Sequence, residues 1–433
     1  MSEYHKDEEG NETVTSTKKE SKKTWKETFS TINLKRMPSI PSITLQQFKD
    51  KQQNIKSHME KVINNVKYGQ WNLYPYKDVN KDYDKNKSIY LLGKEFSDTK
   101  MTKSDLLNFE QFIEYFRSRL WFTYRINIPS IPYTKETGDC GWGCVIRVIQ
   151  MMTAQAYSKL FIDDKFNGNY NDYLKILSLF DDSCNGPLGL SNFVKYPYEN
   201  YKKKVGSWFS PSEAAQVMNH LLKEQKNKGN EILDSLSIYC TINSCLVLEQ
   251  LEYTSDNWRN SVFLIIPVRL GIKYINECYY EHITKLFSLD NCLGIMGGKA
   301  RRSLYFIGSY NESLIYLDPH VMQEYVNLEE ETPNIETFFC SIPKRVLLSQ
   351  IDPSCAIGFL IKNREELDRT VYQLGIHQIA TYEMADGFYK KVLNPIFTII
   401  DQSSQLKKYV PNNSNSYNDV SEKSNPSDDF EML

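Results

Sequence analysis

Apolar and polar positions follow clear periods through the middle of the chain and lose any period at both ends. The most sustained helical pattern begins at Cys144. Val145, Val148, Ile149, Met152 and Ala156 recur there at helical spacing, directly after the glycine-punctuated turn Gly138-Asp-Cys-Gly-Trp-Gly143. Another helix is predicted from Phe109 to Trp121, followed by the extended stretches Trp121–Arg125 and Pro129–Pro132. A further helix opens at Ser210-Pro-Ser-Glu213 and runs to about Gln225. Ser210 can cap it, Glu213 reaches back, and Pro211 takes the first helical position, where its missing N–H costs least. Ile275–Leu286 also repeats apolar residues at helical spacing, and Asn363 opens a last helix.

Strand patterns fall at Ile89–Gly93, Leu236–Ile242, Val262–Val268 and Cys355–Ile361. Ser303–Gly308 and Ser313–Leu317 flank Tyr310-Asn-Glu312 and read as a hairpin. Residues 165–205, rich in Asn, Asp, Tyr and Lys, read as a loop insertion. Strands and helices interleave without regular alternation, which predicts an α+β fold rather than a doubly wound sheet. Residues 1–80 are expected to be a disordered regulatory arm, 81–400 the folded domain, and 401–433 a flexible tail.

Composition narrows the function by exclusion. Across 433 residues, 52 Lys+Arg against 54 Asp+Glu leave a net charge of −2, so nothing argues for a nucleic-acid partner or direct membrane attraction. The first thirty residues are charged and hydroxyl-rich, the wrong composition for a secretory leader, and no apolar run is long enough to span a bilayer. Nine cysteines, an odd number, suit reduced thiols in a cytoplasmic protein. Cys140/Cys144 and Cys240/Cys245 lack zinc-site spacing and no histidine pair lies near either, so no metal and no cofactor is expected.

Candidate chemistry centres on Cys144. It stands where a turn meets a helix, and unpaired N–H groups together with the helix dipole favour negative charge there. Gly141 and Gly143 leave little bulk around the sulfur, so a backbone could approach closely. The second hairpin strand ends in Leu317-Asp-Pro-His320. Pro319 stops the strand, and residues two apart in an extended segment face the same way. Asp318 can therefore orient the imidazole of His320 and leave its other nitrogen to face a thiol. Of the six histidines, 5 and 58 lie in the arm, 220 and 282 inside helix patterns, and 377 has no carboxylate close in sequence. The same residues are compatible with a buried structural cysteine and an ordinary strand-end turn. Gly294-Ile-Met-Gly-Gly-Lys299 does not complete a P-loop, because Ala300 stands where a magnesium-holding hydroxyl would be; it reads as a mobile glycine loop near His320.

Taken together, these stretches resemble the autophagin family of autophagy-related cysteine endopeptidases. The matching segments are LLGKEF (91–96), RLWFTYR (119–125), GDCGWGCVIRVIQMM (138–152), SWFSPSEAAQVM (207–218), LIIPVRLG (264–271), LGIMGGKARRSLYFIG (293–308), LIYLDPH (314–320) and IDPSCAIGF (351–359). The resemblance implies a papain-like fold with a small auxiliary subdomain. It also implies cleavage of a ubiquitin-like autophagy modifier after its C-terminal glycine, from the soluble precursor and from phosphatidylethanolamine, so that the membrane is met only through the lipidated substrate. It assigns Cys144, His320 and Asp318 as nucleophile, base and orienting acid, and Tyr124 as an oxyanion donor. It places Trp142 over the substrate glycine, a gating loop at Met296–Lys299 with Gly297 and Gly298, and a substrate contact at Arg269. Cys140 and Ala300 depart from the family pattern, in place of a small hydroxyl residue and a proline. The final residues Phe430-Glu-Met-Leu433, preceded by acids, resemble the short motif that docks on the same modifier by strand addition. The alternative is a non-catalytic modifier-binding scaffold acting through Phe430 and Leu433.

Overall fold

The computed structural model describes residues 77–81, 83–98, 108–162, 168–226, 228–299, 302–385, 389–390 and 392–409. In chain order its elements are β1 (Lys77–Asp78), β2 (Ile89–Leu91), β3 (Lys94–Phe96), α1 (Phe109–Arg117), β4 (Tyr124–Ile126), α2 (Cys144–Phe161), α3 (Tyr170–Ser178) and α4 (Leu190–Tyr201). There follow α5 (Pro211–Gln225), α6 (Glu231–Asp234), β5 (Leu236–Cys240), β6 (Cys245–Val247), α7 (Leu248–Thr254), β7 (Ser261–Arg269), α8 (Tyr280–Leu286), β8 (Cys292–Lys299), β9 (Arg302–Tyr310) and β10 (Ser313–Leu317). The last are β11 (Met322–Glu324), β12 (Lys344–Leu347), β13 (Ser354–Ile361), α9 (Arg364–Ile376), β14 (Ala380–Glu383), β15 (Tyr389–Lys390) and β16 (Phe397–Ile400).

The main sheet runs β1-β12-β10-β9-β8-β13-β7-β5. Every neighbour pair on that path is antiparallel except β5 with β7. β8 flanks the first half of β9, and β2 takes over beside residues 308–310, with β3 completing the hairpin. Both faces are buried, and alternate side chains serve two different cores. Phe263, Ile265, Leu293, Tyr305, Ile307 and Ile315 face one core; Leu264, Ile266, Ile295, Phe306, Leu314 and Ile357 face the other.

Helix α2 fills the first core. It is enclosed by β8 and β9 on one side and by α3 and α5 on others, so residues 144–159 are all buried. The expected one-sided apolar stripe is therefore only part of its packing. Its polar members are tied individually: Gln150 Nε2 donates to Leu188 O at 2.9 Å, and Lys159 Nζ donates to Leu92 O at 3.0 Å near the C-terminal end. The second core is covered by α8, α9 and a smaller four-stranded sheet, β15-β14-β16-β6.

Four readings of the sequence need correcting. Residues 168–205, within the stretch expected to include a loop insertion, are largely helical, since α3 and α4 lie there. Asn169 and Asp172 form a capping box at the start of α3, and Tyr173, Ile176 and Leu177 make its buried face. Strand β1 pairs with β12, so ordered structure begins before residue 81. At the other end, 401–409 is not a free tail. Ser403 N donates to Glu249 Oε2 at 2.8 Å, and Tyr409 OH donates to Glu383 Oε2 at 2.6 Å. Finally, Met296–Lys299 is the end of strand β8 rather than a loop, paired with Arg302–Tyr305. Gly298 has φ +147° there, and a Cβ would collide with the carbonyl of Arg302.

Candidate active site

One edge of the main sheet gathers the C-terminal ends of β7, β8 and β10 with the start of β9 and β13. Leu317 ends β10 on that edge, and the turn Asp318-Pro-His320 projects from it. Asp318 Oδ1 lies 2.7 Å from His320 Nδ1 and also accepts the backbone N–H of His320 at 3.1 Å. The i, i+2 geometry expected from Pro319 is thus realised. Two hydrogen bonds lay this turn on the segment before α2: Trp121 Nε1 donates to Asp318 O at 2.8 Å, and Tyr124 N donates to Pro319 O at 2.9 Å. Beyond the turn, β11 runs parallel to β4, with Met322 opposite Tyr124.

Cys144 is the first residue of α2, and Gly143 caps the helix with no side-chain bond of its own. The thiol is 1% exposed. His320 Nε2 is buried and has no hydrogen-bond partner among the described residues. Burial acting alone would lower the imidazole pKa. The hydrogen bond that His320 donates to Asp318, and then the Cys144 thiol, outweigh it and hold His320 up at about 9. Burial likewise opposes the Asp318 charge, but the bond to His320 and its charge bring that carboxyl down to about 2. The pairing thus favours ionised Asp318 beside protonated His320.

Tyr124 stands edge-on to His320, with ring centroids 5.5 Å apart and planes at 88°. Burial, followed by the neighbouring Cys144 and Asp139, pushes its phenol far up, so it remains a hydrogen-bond donor. Arg302, at the start of β9, has its guanidinium pKa lowered by burial and supported by Asp318, Tyr124 and Cys144. With Lys299, Leu304, Tyr316, Asp318 and His320 it lines a small recess.

The other expected site residues fall as follows. Gly297 and Gly298 are on β8, and Lys299 reaches the recess beside His320. Arg269 is exposed at the end of β7 on the same sheet edge, and donates to Ser354 Oγ and Ile272 O, both at 3.1 Å. Trp142 is 6% exposed and belongs to the first core, and its Nε1 has no hydrogen-bond partner among the described residues. Phe430 and Leu433 lie outside the described residues. Gly143 serves the turn itself, because a Cβ there would strike the carboxylate of Asp139. Sequence reasoning missed Trp121, Asp139, Arg147 and Arg302. Only the polar residues Asp139 and Arg147, set inside or beside an apolar run, carried any local signal. No group of three potential metal ligands occurs among the described residues, and no described helix is long and apolar enough to cross a membrane.

Residues 109–373 match the peptidase C54 catalytic domain. The chain is 31% identical over 382 residues to cysteine protease atg-4.2 of Caenorhabditis elegans, covering 80% of this chain and 72% of the relative. It is 30% identical over 364 residues to cysteine protease ATG4C of Homo sapiens, covering 69% and 76% respectively. Cysteine protease ATG4A of Xenopus laevis is 31% identical over 330 residues, covering 68% and 79%. A buried cysteine-headed helix packed on a mostly antiparallel sheet, together with these matches, defines a cysteine protease of papain-like α+β architecture. The chain belongs to the peptidase C54 family.

Proposed function

We propose that the protein is a thiol endopeptidase that cuts a ubiquitin-like autophagy modifier after its C-terminal glycine in the cytoplasm, from the soluble precursor and from its phosphatidylethanolamine conjugate. The observation that carries this reading is a nearly inaccessible thiol, 1% exposed at the head of α2, in a chain whose His320 is held by Asp318 at 2.7 Å with its Nε2 left unbonded among the described residues. So buried a sulfur admits only a thin stretch of backbone, and a residue without a Cβ is the thinnest available.

In this mechanism Cys144 reacts as a thiolate paired with the imidazolium of His320. Its sulfur adds to the glycine carbonyl, and the oxyanion is met by the phenol of Tyr124 and the backbone N–H of Cys144. The C–N bond breaks as His320 gives its proton to the departing amine, which leaves a thioester on Cys144. His320, now neutral, takes a proton from water. The hydroxide formed adds to the thioester, the C–S bond breaks, and the modifier leaves with a free glycine carboxylate. Asp318 keeps one imidazole tautomer and supports its charge throughout. Arg269, Gly297 and Gly298 share the sheet edge with the recess and are assigned to the substrate-facing surface. Trp142 is assigned to the cover over the substrate glycine. Phe430 and Leu433 are assigned to docking the modifier, so removing them should weaken binding while leaving the chemical step intact.

The test uses the full chain with the modifier precursor. Cys144→Ala should abolish cleavage, and replacing the substrate's terminal glycine by alanine should reduce kcat/KM at least about 100-fold. Cleavage by Cys144→Ala at the wild-type rate would refute the assignment. The scaffold reading would be favoured instead if the wild-type chain bound the precursor without cutting it and lost that binding on removal of Phe430–Leu433.

A further inference from the structure

The turn that delivers Cys144 to its helix is shaped by a single buried carboxylate. Asp139 is 0% exposed. Its Oδ1 accepts the backbone N–H of Arg125 at 2.7 Å, and its Oδ2 accepts Nε of Arg147, also at 2.7 Å. Its own N–H donates to Arg125 O at 3.2 Å, while its carbonyl accepts the amides of Trp142 and Gly143 at 3.3 and 2.9 Å. Arg147 then grips Asp182 with both terminal nitrogens, at 2.7 and 2.9 Å. Arg125 follows Tyr124 in β4, and Arg147 sits one turn into α2 from Cys144. One side chain therefore ties the strand that bears the proposed oxyanion donor to the helix that bears the proposed nucleophile.

Stability is a poor explanation for this arrangement. The charged groups facing Asp139 are Arg125, Arg147 and Asp182, and all three are buried with it. Buried ion clusters of this kind are often no more stabilising than apolar residues of the same shape. What they do supply is fixed geometry, because each bond has a direction and leaving one donor without its acceptor is costly. The space for the carboxylate is also reserved, since Gly143 can carry no side chain without striking it.

We propose that Asp139 is a positioning residue for the thiol chemistry, setting the turn so that the Cys144 sulfur meets His320 and the Tyr124 hydroxyl together. This rests on the assignment of Cys144 as nucleophile. Asp139→Asn keeps the size of the side chain but cannot accept from both Arg125 N–H and Arg147 Nε in the same way. The full-length variant would be compared with wild type in three readouts: kcat and KM on the modifier precursor, melting temperature, and the rate of Cys144 alkylation by iodoacetamide located by peptide mapping. A displacement of the sulfur by a fraction of an ångström should lower kcat about 10- to 100-fold with little change in KM. Alkylation near neutral pH should fall by a similar factor. At strongly alkaline pH the two proteins should converge, because a thiol ionised by solvent no longer needs its imidazole partner.

A lower melting temperature with unchanged kcat and an unchanged alkylation profile would reduce Asp139 to a structural role and overturn the proposal. Should Asp139→Asn fail to fold, Gly143→Ala gives the same readouts, since its methyl displaces the carboxylate while every charge remains. Cleavage by Cys144→Ala would instead overturn the nucleophile assignment, and the positioning role would fall with it.

Discussion

At the scale of single residues, the chemistry is governed by how His320 and Asp318 shift one another. Asp318 is the largest influence raising the imidazole, to about 9, and His320 is the largest influence lowering the carboxyl, to about 2. Because His320 is raised from 6.5, its contribution to stability is complete below that value and lost as pH rises through about 9. Asp318 is depressed from 3.8, so its contribution is present above that value and lost as pH falls through about 2. Activity that needs the imidazolium should therefore decline on the alkaline side near pH 9, and in Asp318→Asn that limb should move to lower pH. A kcat/KM profile of both proteins checks this, and an unmoved limb would contradict the pairing. Asp318→Asn should also lower kcat by about 100- to 10,000-fold at neutral pH through loss of the preferred tautomer. The pair was legible in the sequence because two residues separated by one proline are a local pattern. The assignment of His320 to the thiol was reached by eliminating the other five histidines and by the family resemblance.

At the scale of elements, starts were easier to read than surroundings. The capping box at Ser210 and Glu213 formed as expected, with Glu213 N donating to Ser210 Oγ at 3.2 Å and Ser210 N donating to Glu213 Oε2 at 2.7 Å. Ser210→Ala should cost about 1 kcal/mol, measurable by urea denaturation, with catalysis untouched. The same signal was present at Asn169 and Asp172 but was obscured by the polar composition around it, so α3 was missed. Strand β8 went unrecognised because three glycines suggest a loop, whereas all three in fact meet close neighbours: Gly294 faces the Phe306 carbonyl, Gly297 faces Phe306 and Cys355, and Gly298 faces the Arg302 carbonyl. Gly298→Ala should distort the β8–β9 hairpin and destabilise the protein by about 1–3 kcal/mol. It should also reduce activity, because Lys299 and Arg302 flank His320 in the same recess. Thermal melting alongside turnover checks both halves of that expectation.

Across the whole molecule, one sheet is shared by two cores, with successive residues of each central strand committed to opposite sides. Leu293 and Ile295 on β8 point into different cores because a bulge at Leu293, where the register with β13 shifts, breaks the alternation there, and each is essentially inaccessible. Leu293→Ala and Ile295→Ala should therefore each cost about 2–5 kcal/mol, and do so within one unfolding transition, because neither core can open without the sheet. Two separate transitions in calorimetry would show that the cores fold independently. Local pattern was enough to specify the strands and helices of α2, α5, β7, β9, β10 and β13, the caps that start them, and the cysteine at a helix N-terminus. Such features depend on side chains a few positions apart, and a short window contains them. The tertiary structure alone decided the all-round burial of α2, the pairing of β6 with the distant β16, and the Asp139–Arg147–Asp182 cluster. Each of these joins residues that no local rule connects, and the join exists only once sheet register and helix packing have brought distant segments into contact.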